Sequence, residues 1–453
     1  MDTICAIATA RACAAIGIIR VSGERAFEIC NKIIRLKNGN IISAKSAQMC
    51  LGYVHDGNAD IDQVMCVSFR SPASYTGEDM VEINCHGSVM ILNRIMKLLI
   101  KNGARSAQAG EFTKRAFLNG KLDLIQAEAV GDLIDAYNQT DAALALSHMS
   151  GGLSDEFNEI FNRLIDINTN ILAYIDFPDE GLVDVDPCLM IDSLNKILKS
   201  LRSLAESFEI GSVIHDGADT AIVGAPNVGK STLLNAILGY ERSIVSKTEG
   251  TTRDMISERV TMGGVTLNLC DTAGIRKMAG EIEKRGIEIT CRTLKNADLV
   301  FAVFDASRSL SDDDKKIIQL CKGKTAVAVL NKCDLTQTID KKYICDNFIH
   351  IVEISAEQKQ GLEKLSEIIN KLFLSDKVAI ESGTVITNVR HYERAVKASE
   401  YVQAAINTLE SGFTPDVASV DITEAASQIG MITGASVSDK IIDEIFSKFC
   451  VGK

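Results

Sequence analysis

Apolar and polar positions along the chain repeat with two different periods. Near the start, four short apolar runs have the length of β-strands, and one longer run has the spacing of an amphipathic helix. These runs cover residues 15–21, 49–54, 64–69, 80–85 and 89–101. Consecutive strands followed by a helix are typical of an α+β arrangement, and we predict such a domain over residues 1–119.

Helical spacing dominates two separate stretches, residues 121–210 and 388–449, which are rich in Ala, Leu and Ile. Neither stretch buries its apolar stripe alone, so the two are predicted to pack together. We therefore predict one discontinuous all-α domain with halves at 120–214 and 377–453. A separate domain is inserted between them at 215–376, which makes the chain a multidomain α/β protein.

A phosphate-binding loop opens the inserted domain. Gly224 to Ser231 read GAPNVGKS, after an apolar run at 220–223 and before a helix-like run at 232–238. In this strand–loop–helix context, the glycines let backbone N–H groups surround phosphate oxygens. Lys230 is expected to reach the β- and γ-phosphates, and Ser231 to hold Mg²⁺. The expected nucleotide contacts here are Asn227, Val228, Gly229, Lys230, Ser231 and Thr232.

Three more motifs follow in order, each after an apolar run of strand length. Their functional residues are Asp271 and Gly274 in DTAG, Asn331, Lys332 and Asp334 in NKCD, and Ser355 and Ala356. The first motif suits a magnesium-linked Asp and a γ-phosphate-sensing Gly. Ligands of open α/β sheets lie at the carboxyl ends of strands, so the motifs together predict a Ras-like P-loop domain.

The third and fourth motifs select the base. The Asp334 carboxylate can accept hydrogen bonds from guanine N1–H and from the exocyclic amine, and adenine lacks this pair of donors. The backbone N–H at Ala356 would donate to the guanine oxygen. We therefore predict that the domain binds and hydrolyses GTP with Mg²⁺.

Water activation must differ from that of Ras-type GTPases. Ile275 follows the DTAG glycine, where a Ras-type enzyme has a Gln that orients the attacking water. Asn227 is interpreted as a ligand of a monovalent cation beside the phosphates, with a loop-capping amide as the alternative. Residues 246–254 read SKTEGTTRD and are predicted to be a switch loop. The switch candidates are Thr252 for Mg²⁺ and the γ-phosphate, Thr251 for the nucleotide, and Ser246, Thr248 and Thr251 for K⁺.

Composition and the end of the chain add three expectations. A net charge of −12 argues against a nonspecific nucleic-acid coat. Thirteen cysteines without C-x-x-C spacing favour reduced thiols in a cytoplasm, and no apolar run reaches membrane-spanning length. Cys450, in the terminal FCVGK, is a candidate nucleophile because Lys453 would favour its thiolate. The alternative is an ordinary cysteine at a fraying helix end.

Together these motifs resemble the MnmE family, also called TrmE, of tRNA-modifying GTPases, over nearly the whole chain. The most specific marks are GAPNVGKS, SKTEGTTRD, DTAG followed by Ile, NKCD and the terminal FCVGK. The resemblance implies a folate-binding-like N-terminal domain that mediates homodimerisation. It places folate contacts at Arg20, Glu82, Lys121 and Lys453, where basic groups suit folate carboxylates and a carboxylate suits pterin N–H donors. It makes Glu283 the residue that orients water, and Asp271, Glu283 and Cys450 the catalytic candidates.

The resemblance also implies a reaction and partners. A flavin-dependent partner, MnmG, forms a heterotetramer with the homodimer. Together they add an aminomethyl or carboxymethylaminomethyl group to carbon 5 of the wobble uridine of certain tRNAs. The one-carbon unit comes from 5,10-methylene- or 5-formyl-tetrahydrofolate, and GTP hydrolysis depends on K⁺ as two GTPase domains meet across the dimer.

One loop departs from the family pattern. Residues 10–15 read ARACAA, where the family usually carries a loop rich in Pro and Gly. This change alters the allowed backbone of the loop and bears on the folate site. It leaves open a homologue that hydrolyses GTP without using folate. A second alternative is a ribosome-assembly GTPase of the Era/Der type, which shares Asn227 in the phosphate loop and the apolar residue after DTAG.

Overall fold

The computed structural model describes residues 2–176, 187–240, 258–269, 294, 297–374 and 383–452. Close contacts divide the chain into two compact units. The first comprises Met1–Gly131, His148–Pro187 and Asn407–Lys453, and the second comprises Asp132–Ser147 and Cys188–Ile406. This division does not test the predicted domain borders, which stay a prediction. None of the described helices is both long and apolar enough to cross a membrane.

The first unit begins with a mostly antiparallel sheet and three helices. Its strands are β1 (Ile4–Ile7), β2 (Ala14–Ser22), β3 (Ile34–Leu36), β4 (Met49–His55), β5 (Asp60–Phe69), β6 (Met80–Gly87) and β7 (Arg105–Ser106). Within the described residues their order is β3-β4-β5-β6-β2-β1-β7, and only β7 pairs in parallel, with β1. The helices are α1 (Ala26–Ile33), α2 (Val89–Lys101) and α3 (Glu111–Leu118). The predicted α+β arrangement is confirmed.

Helix α2 forms because its apolar residues recur at helical spacing and cover one face of the sheet. Leu92, Ile95 and Leu99 are its buried side chains, and they share a core with the inward-facing residues of β2 and β6. Gly17 on β2 permits the close approach, since a Cβ there would lie 2.8 Å from Leu92 Cδ2. A larger residue at position 17 would therefore push the helix away from the sheet.

A buried arginine ties α3 to the start of the chain. The Arg115 side chain is only 5% exposed, and it donates to Glu78 Oε2 at 3.0 Å, Asp2 Oδ1 at 2.7 Å and Glu111 Oε1 at 3.1 Å. Arg105 is 43% exposed and donates to the same Asp2 and Glu111 carboxylates. The hydrogen bond from Arg105 is the main reason why the pKa of Asp2 falls to about 2. The network surrounds Arg115 with three carboxylates, and Arg115 is the more buried of its two cations.

Helices make up the rest of the first unit. They are the first part of α4 (Leu124–Asp135), α6 (Gly152–Asp176) and, later in the chain, α14 (Pro415–Thr433) and α15 (Asp439–Ser447). The end of α4 and most of α5 (Gln139–Met149) belong to the second unit. Between α6 and α14, Asn168 accepts from Ser419 Oγ at 2.8 Å and donates to Thr423 Oγ1 at 3.1 Å. Small buried residues on α14 allow this close pairing. Where the structure describes them, both predicted helical stretches consist mainly of helices.

The second unit is built on a mostly parallel sheet. Its strands are β8 (Ala218–Gly224), β9 (Glu258–Met262), β10 (Val265–Leu269), β11 (Leu299–Asp305), β12 (Ala326–Asn331) and β13 (His350–Glu353). Within the described residues their order is β13-β12-β11-β8-β10-β9, and β9 pairs antiparallel with β10. Its helices are α7 (Pro187–Glu206), α8 (Phe208–Asp216), α9 (Lys230–Leu238), α10 (Asp312–Leu320), α11 (Lys341–Cys345), α12 (Leu362–Phe373) and α13 (Val389–Glu410). The final residues of α13 fall in the first unit.

An ion pair joins α5 to α8, the helix that leads into β8. His215 Nδ1 lies 3.2 Å from Asp141 Oδ1, and its Nε2 lies 3.9 Å from Asp132 Oδ1. The hydrogen bond to Asp141 raises the pKa of His215 to about 9, although burial acts in the opposite direction. Asp132 and Asp216 add further negative charge around the ring. His215 is therefore an imidazolium at neutral pH.

This pair predicts a pH-dependent stability. Because the folded-state pKa of His215 is above its unfolded value of roughly 6.5, the contribution is complete below that pH and is lost as the pH rises through about 9. After allowance for solvent screening, we expect His215→Gln to lower the free energy of unfolding by ~1–2 kcal/mol at low pH. Urea unfolding at pH 6 and at alkaline pH measures the difference, and Asp141→Asn should reproduce it. An equal deficit at both pH values would contradict the prediction.

Candidate functional site

The phosphate-binding loop lies between the end of β8 and the start of α9. The sequence predicted a helix from residue 232, and the structure begins it at Lys230, directly after Gly229. Gly229 has φ +97, and a Cβ there would lie 2.2 Å from Asn331 Nδ2. Gly224 is equally confined, since its Cβ would lie 2.6 Å from Val303 O. Both glycines of the motif are therefore required by the backbone path.

Lys230 occupies the centre of this loop. Its Nζ donates to Gly224 O and Ala225 O, each at 2.8 Å, and burial lowers its pKa. Val228 anchors the loop in the core of the unit and is fully buried. A cation enclosed by its own loop at a helix N-terminus is the arrangement that takes a phosphate group. These residues therefore fit the phosphates of a nucleotide. Ser231 and Thr232, in the first turn of α9, are exposed.

Asn331, at the end of β12, connects three loops. Its Nδ2 donates to Val228 O at 2.9 Å, and its Oδ1 accepts from Ala356 N at 3.0 Å. The side chain is buried, so neither bond competes with water. The phosphate loop, the NKCD motif and the Ser355–Ala356 loop are thus brought together by one amide, as expected for strands that end at the same edge of a parallel sheet.

Lys332 crosses from the NKCD motif to the phosphate loop. It has φ +65, and its Nζ donates to Asn227 O at 3.0 Å and to Asp305 Oδ2 at 2.5 Å. Burial acts to raise the pKa of Asp305, but hydrogen bonds from Lys332 and Ser307 outweigh it and lower the pKa. Asp305 was missed in the sequence analysis. The sequence did contain a signal for this residue, because Asp305 is the acid that ends the otherwise apolar and fully buried strand β11.

The residues that we predict to recognise the base differ in burial. Asp334 is exposed, whereas Ser355 and Ala356 are buried. Ser355 is held by reciprocal backbone hydrogen bonds with Gln360, each at 3.1 Å. The arrangement presents an accessible carboxylate beside a fixed loop, which suits a guanine base.

Several expected site residues lie outside the described residues. They are Ser246, Thr248, Thr251, Thr252, Asp271, Gly274, Ile275, Glu283 and Lys453. Of the expected potassium ligands, only Asn227 is described. It has φ +63, a left-handed conformation that asparagine tolerates better than most residues.

The first unit holds the candidate folate residues. Arg20 on β2 and Glu82 on β6 are directly opposite each other in the sheet, and Arg20 Nε donates to Glu82 Oε1 at 2.7 Å. Lys121 Nζ donates to Pro72 O at 3.2 Å, in the loop that precedes β6. The same loop carries Tyr75, whose ring lies 5.7 Å from the Arg20 guanidinium carbon.

Tyr75, in the segment SYTGED at 74–79, was not singled out for a role in the sequence analysis. Its hydroxyl is 2.9 Å from Thr113 Oγ1 on α3. Tyr75 thereby links α3 to Arg20, and Arg20, Glu82 and Lys121 lie around one loop. Nothing in a lone tyrosine distinguishes this position from a core aromatic, so only the fold reveals it.

The end of the chain packs against the same unit. Phe446 on α15 is buried and its ring lies 6.3 Å from that of Phe117 on α3. Val451 forms a β-bridge with Ala109, and Cys450 O accepts from Gly110 N at 3.3 Å. Cys450 is exposed. The backbone around this thiol is thus fixed while its side chain stays accessible to a reactant.

Comparison with known proteins places these sites in a family. Residues 3–121 match the model described as GTP-binding protein TrmE N-terminus, and residues 124–450 match the MnmE helical domain. The tRNA modification GTPase MnmE of Thermoanaerobacter pseudethanolicus is 39% identical, across 100% of this chain and 99% of that protein. The MnmE of Thermotoga maritima is 39% identical across 100% of both chains.

A solved structure, the G domain of the FeoB iron transporter of T. maritima, is 26% identical over 34% of this chain and 96% of its own. Its TM-score is 0.26, which is too low to carry an argument. The relatives above match from end to end, and both family models are satisfied in the expected order. The chain therefore belongs to the MnmE family of tRNA modification GTPases.

Proposed function

We propose that this protein is a potassium-activated GTPase that drives modification of the wobble uridine of certain tRNAs. In this proposal it acts as a cytoplasmic homodimer, in a heterotetramer with the FAD-dependent partner MnmG. The product carries an aminomethyl or carboxymethylaminomethyl group on carbon 5 of the uridine, and a tetrahydrofolate supplies the one-carbon unit. The observation that supports it most is that one chain combines a phosphate loop and base loops joined by Asn331 with the Arg20–Glu82 pair.

In the nucleotide site, Lys230 would exchange its two carbonyl partners for phosphate oxygens. Ser231 and Thr252 would hold Mg²⁺, which supplies charge neutralisation on the phosphates when bound. Asp334 would accept from the guanine N–H groups, while Asn331 keeps the phosphate and base loops in register. Asp271 and Gly274 would contact the metal and the γ-phosphate, and Glu283 would orient the attacking water.

In the first unit, Arg20 and Glu82 already form an ion pair. A bound folate would therefore have to accept a second hydrogen bond from Arg20 or separate the two side chains. Arg20, Lys121 and Lys453 suit the carboxylates of the folate glutamate, and Glu82 suits pterin N–H donors. The exposed segment 10–15 is the feature that counts against a standard folate site. Calorimetry with 5-formyl-tetrahydrofolate separates the two cases, and no heat above background would favour a homologue that does not use folate.

The proposal as a whole is tested by mass spectrometry of tRNA nucleosides. A strain that lacks this gene is compared with the same strain carrying the wild-type gene. We expect the modified wobble uridine to disappear from the first and to return in the second. An unchanged nucleoside profile would instead favour the ribosome-assembly alternative.

The role of potassium gives a second prediction. We expect GTP turnover to be at least tenfold faster in KCl than in NaCl at equal ionic strength, because a cation beside the phosphates stabilises transition-state charge, at roughly 1.4 kcal/mol for each tenfold. Asn227→Ala should remove most of this difference and leave the rate in NaCl unchanged. If Asn227→Ala keeps the full potassium response, Asn227 is only a loop-capping amide.

The exposed thiol gives a third prediction. Cys450→Ser should lower formation of the modified nucleoside by at least tenfold, since a hydroxyl is a far weaker nucleophile than a thiolate at neutral pH. GTP turnover should be unchanged. Cys188→Ser is the matched control, because Cys188 is also exposed. Normal modification by Cys450→Ser would show that the thiol has no catalytic role.

A further inference from the structure

The β9–β10 hairpin lies between two predicted nucleotide-binding segments in the sequence. It covers residues 258–269. In the sequence, the predicted switch loop at 246–254 precedes it and the DTAG motif at 271–274 follows it, and we call these two stretches the switch segments. β10 also pairs with β8, the strand that leads into the phosphate loop. The chain therefore connects both switch segments directly to this hairpin.

Two side chains from the α4–α5 connection contact the hairpin. The ring of Tyr137 lies 4.5 Å from the guanidinium carbon of Arg259 on β9. Asn138 Nδ2 donates to Thr266 Oγ1 on β10 at 2.9 Å. We call these two contacts the hairpin clamp. Each strand of the hairpin is therefore contacted by a neighbouring residue of the same connection.

Asn138 has a second role, which links the clamp to helix α5. Its Oδ1 accepts from Asp141 N at 2.9 Å, so the side chain caps the first turn of the helix. Thr266 is only 2% exposed, and its bond to Asn138 is part-buried. A movement of β10 relative to Asn138 would therefore disturb the start of α5 directly.

The remainder of α5 is anchored more firmly. Asp141 pairs with His215 on α8, and Leu144 is buried in the same core as the residues of β8, β9 and β10. Beyond these anchors the chain continues into the other unit, because its crossing points lie within α4 at Gly131 and within α5 at His148. This helical segment is therefore attached in two places, and the clamp is the weaker of the two attachments.

Magnitudes distinguish the clamp from the anchor. An exposed cation–π contact contributes about 0.5–1 kcal/mol, and a neutral hydrogen bond contributes about 0.5–1.5 kcal/mol. Their sum is comparable to the 1–3 kcal/mol that usually couples two sites in one protein. Burial of the Leu144 side chain contributes about 1.5–3 kcal/mol and the His215–Asp141 pair adds to it, so the anchor is stronger than the clamp. Coupling of the usual size is therefore sufficient to open or close the clamp without detaching the helix.

We propose that the hairpin clamp passes the nucleotide state from the switch segments to the α4–α5 segment, and that Tyr137 and Asn138 are positioning residues for tRNA modification. The second half of this statement rests on the proposed function. The first half does not, because it concerns only the response of residues 132–147 to the nucleotide.

Hydrogen–deuterium exchange tests the first half on the full-length protein with Mg²⁺ and K⁺. We compare GDP with a non-hydrolysable GTP analogue and follow peptides from residues 132–147, with α6 peptides as the internal reference. In the wild type we expect exchange in residues 132–147 to differ at least threefold between the two nucleotides. Equal exchange in both states would overturn the proposal.

Matched variants test the contact itself. Tyr137→Phe keeps the aromatic ring over Arg259 and should behave as wild type, whereas Tyr137→Ala and Thr266→Val should each reduce the nucleotide-dependent difference by at least half. Tyr137 is 42% exposed, so its replacement should not unfold the unit. Equal behaviour of Tyr137→Ala and Tyr137→Phe would also overturn the proposal.

The second half is measured by the wobble-uridine nucleoside in the gene-deleted strain carrying each variant. We expect Tyr137→Ala to lower the modified nucleoside at least threefold and to keep basal GTP turnover within twofold of wild type. Normal modification by this variant would remove the positioning role. If wild-type protein itself fails to restore the nucleoside, the proposed function fails, and the exchange result still decides the coupling.

Discussion

Replacing Asn331 with alanine is expected to weaken the binding of GDP and GTP by at least ~30-fold, which corresponds to about 2 kcal/mol. The substitution removes the hydrogen bonds to Val228 O and from Ala356 N, and it leaves both backbone groups buried without a partner. Each such loss costs about 1–3 kcal/mol. Because the two partners belong to the phosphate loop and the base loop, we expect the loss to appear mainly in nucleotide affinity. Calorimetric titration with GDP in the presence of Mg²⁺ measures it.

Asn347 provides a matched control in the same unit. Its amide also donates to a backbone carbonyl, Tyr343 O at 2.9 Å, but at the end of α11. Asn347→Ala should therefore cost a little stability and leave nucleotide affinity unchanged. If both variants bind GDP as tightly as wild type, Asn331 does not hold the nucleotide edge together.

Replacing Arg115 with methionine is expected to destabilise the first unit by about 3–5 kcal/mol, the usual cost of removing one partner from a buried charge network. Glu78 and Glu111 would be left with 13% and 12% exposed side chains and without their buried cation. The temperature at which the first unit unfolds should therefore fall sharply. Scanning calorimetry of the full-length protein measures it.

Arg105 is the control for this prediction. It contacts the same Asp2 and Glu111 carboxylates, but its side chain is 43% exposed. Water can replace the Arg105 guanidinium, so Arg105→Met should lower the free energy of unfolding by less than about 1 kcal/mol. Similar losses in the two variants would mean that burial does not determine the strength of this network.

The sequence predicted the long and strongly periodic elements well. Helix α2 begins at Val89 and ends at Lys101, as expected, because its apolar spacing covers more than three turns. The short strands β1, β3 and β7 were not predicted, since two to four residues carry no measurable period. Helix α1 was also missed, as its eight residues are close to the shortest that show a pattern.

The sequence predicted those parts of the candidate site whose residues are close together in the chain. The phosphate loop and the NKCD motif have fixed spacing because their backbones must meet a ligand. Asp305 and Tyr75 act through contacts that are distant in sequence, to Lys332 and Thr113 respectively. Such pairs depend on which strands become neighbours, and local spacing does not specify this. The three-part architecture was predicted, and its folate-binding description remains a proposal.

The hydrogen bonds of Lys230 to carbonyls of its own loop affect the thermodynamics of nucleotide binding. Burial lowers the pKa of this ammonium group, whose hydrogen-bond partners among the described residues are two carbonyls, and the phosphates of a bound nucleotide would raise it again. A fraction of the protein that has lost this proton must recover it when the nucleotide binds. In alkaline solution, association is therefore linked to proton uptake from the buffer, and the apparent enthalpy of binding will depend on the ionisation enthalpy of the buffer used.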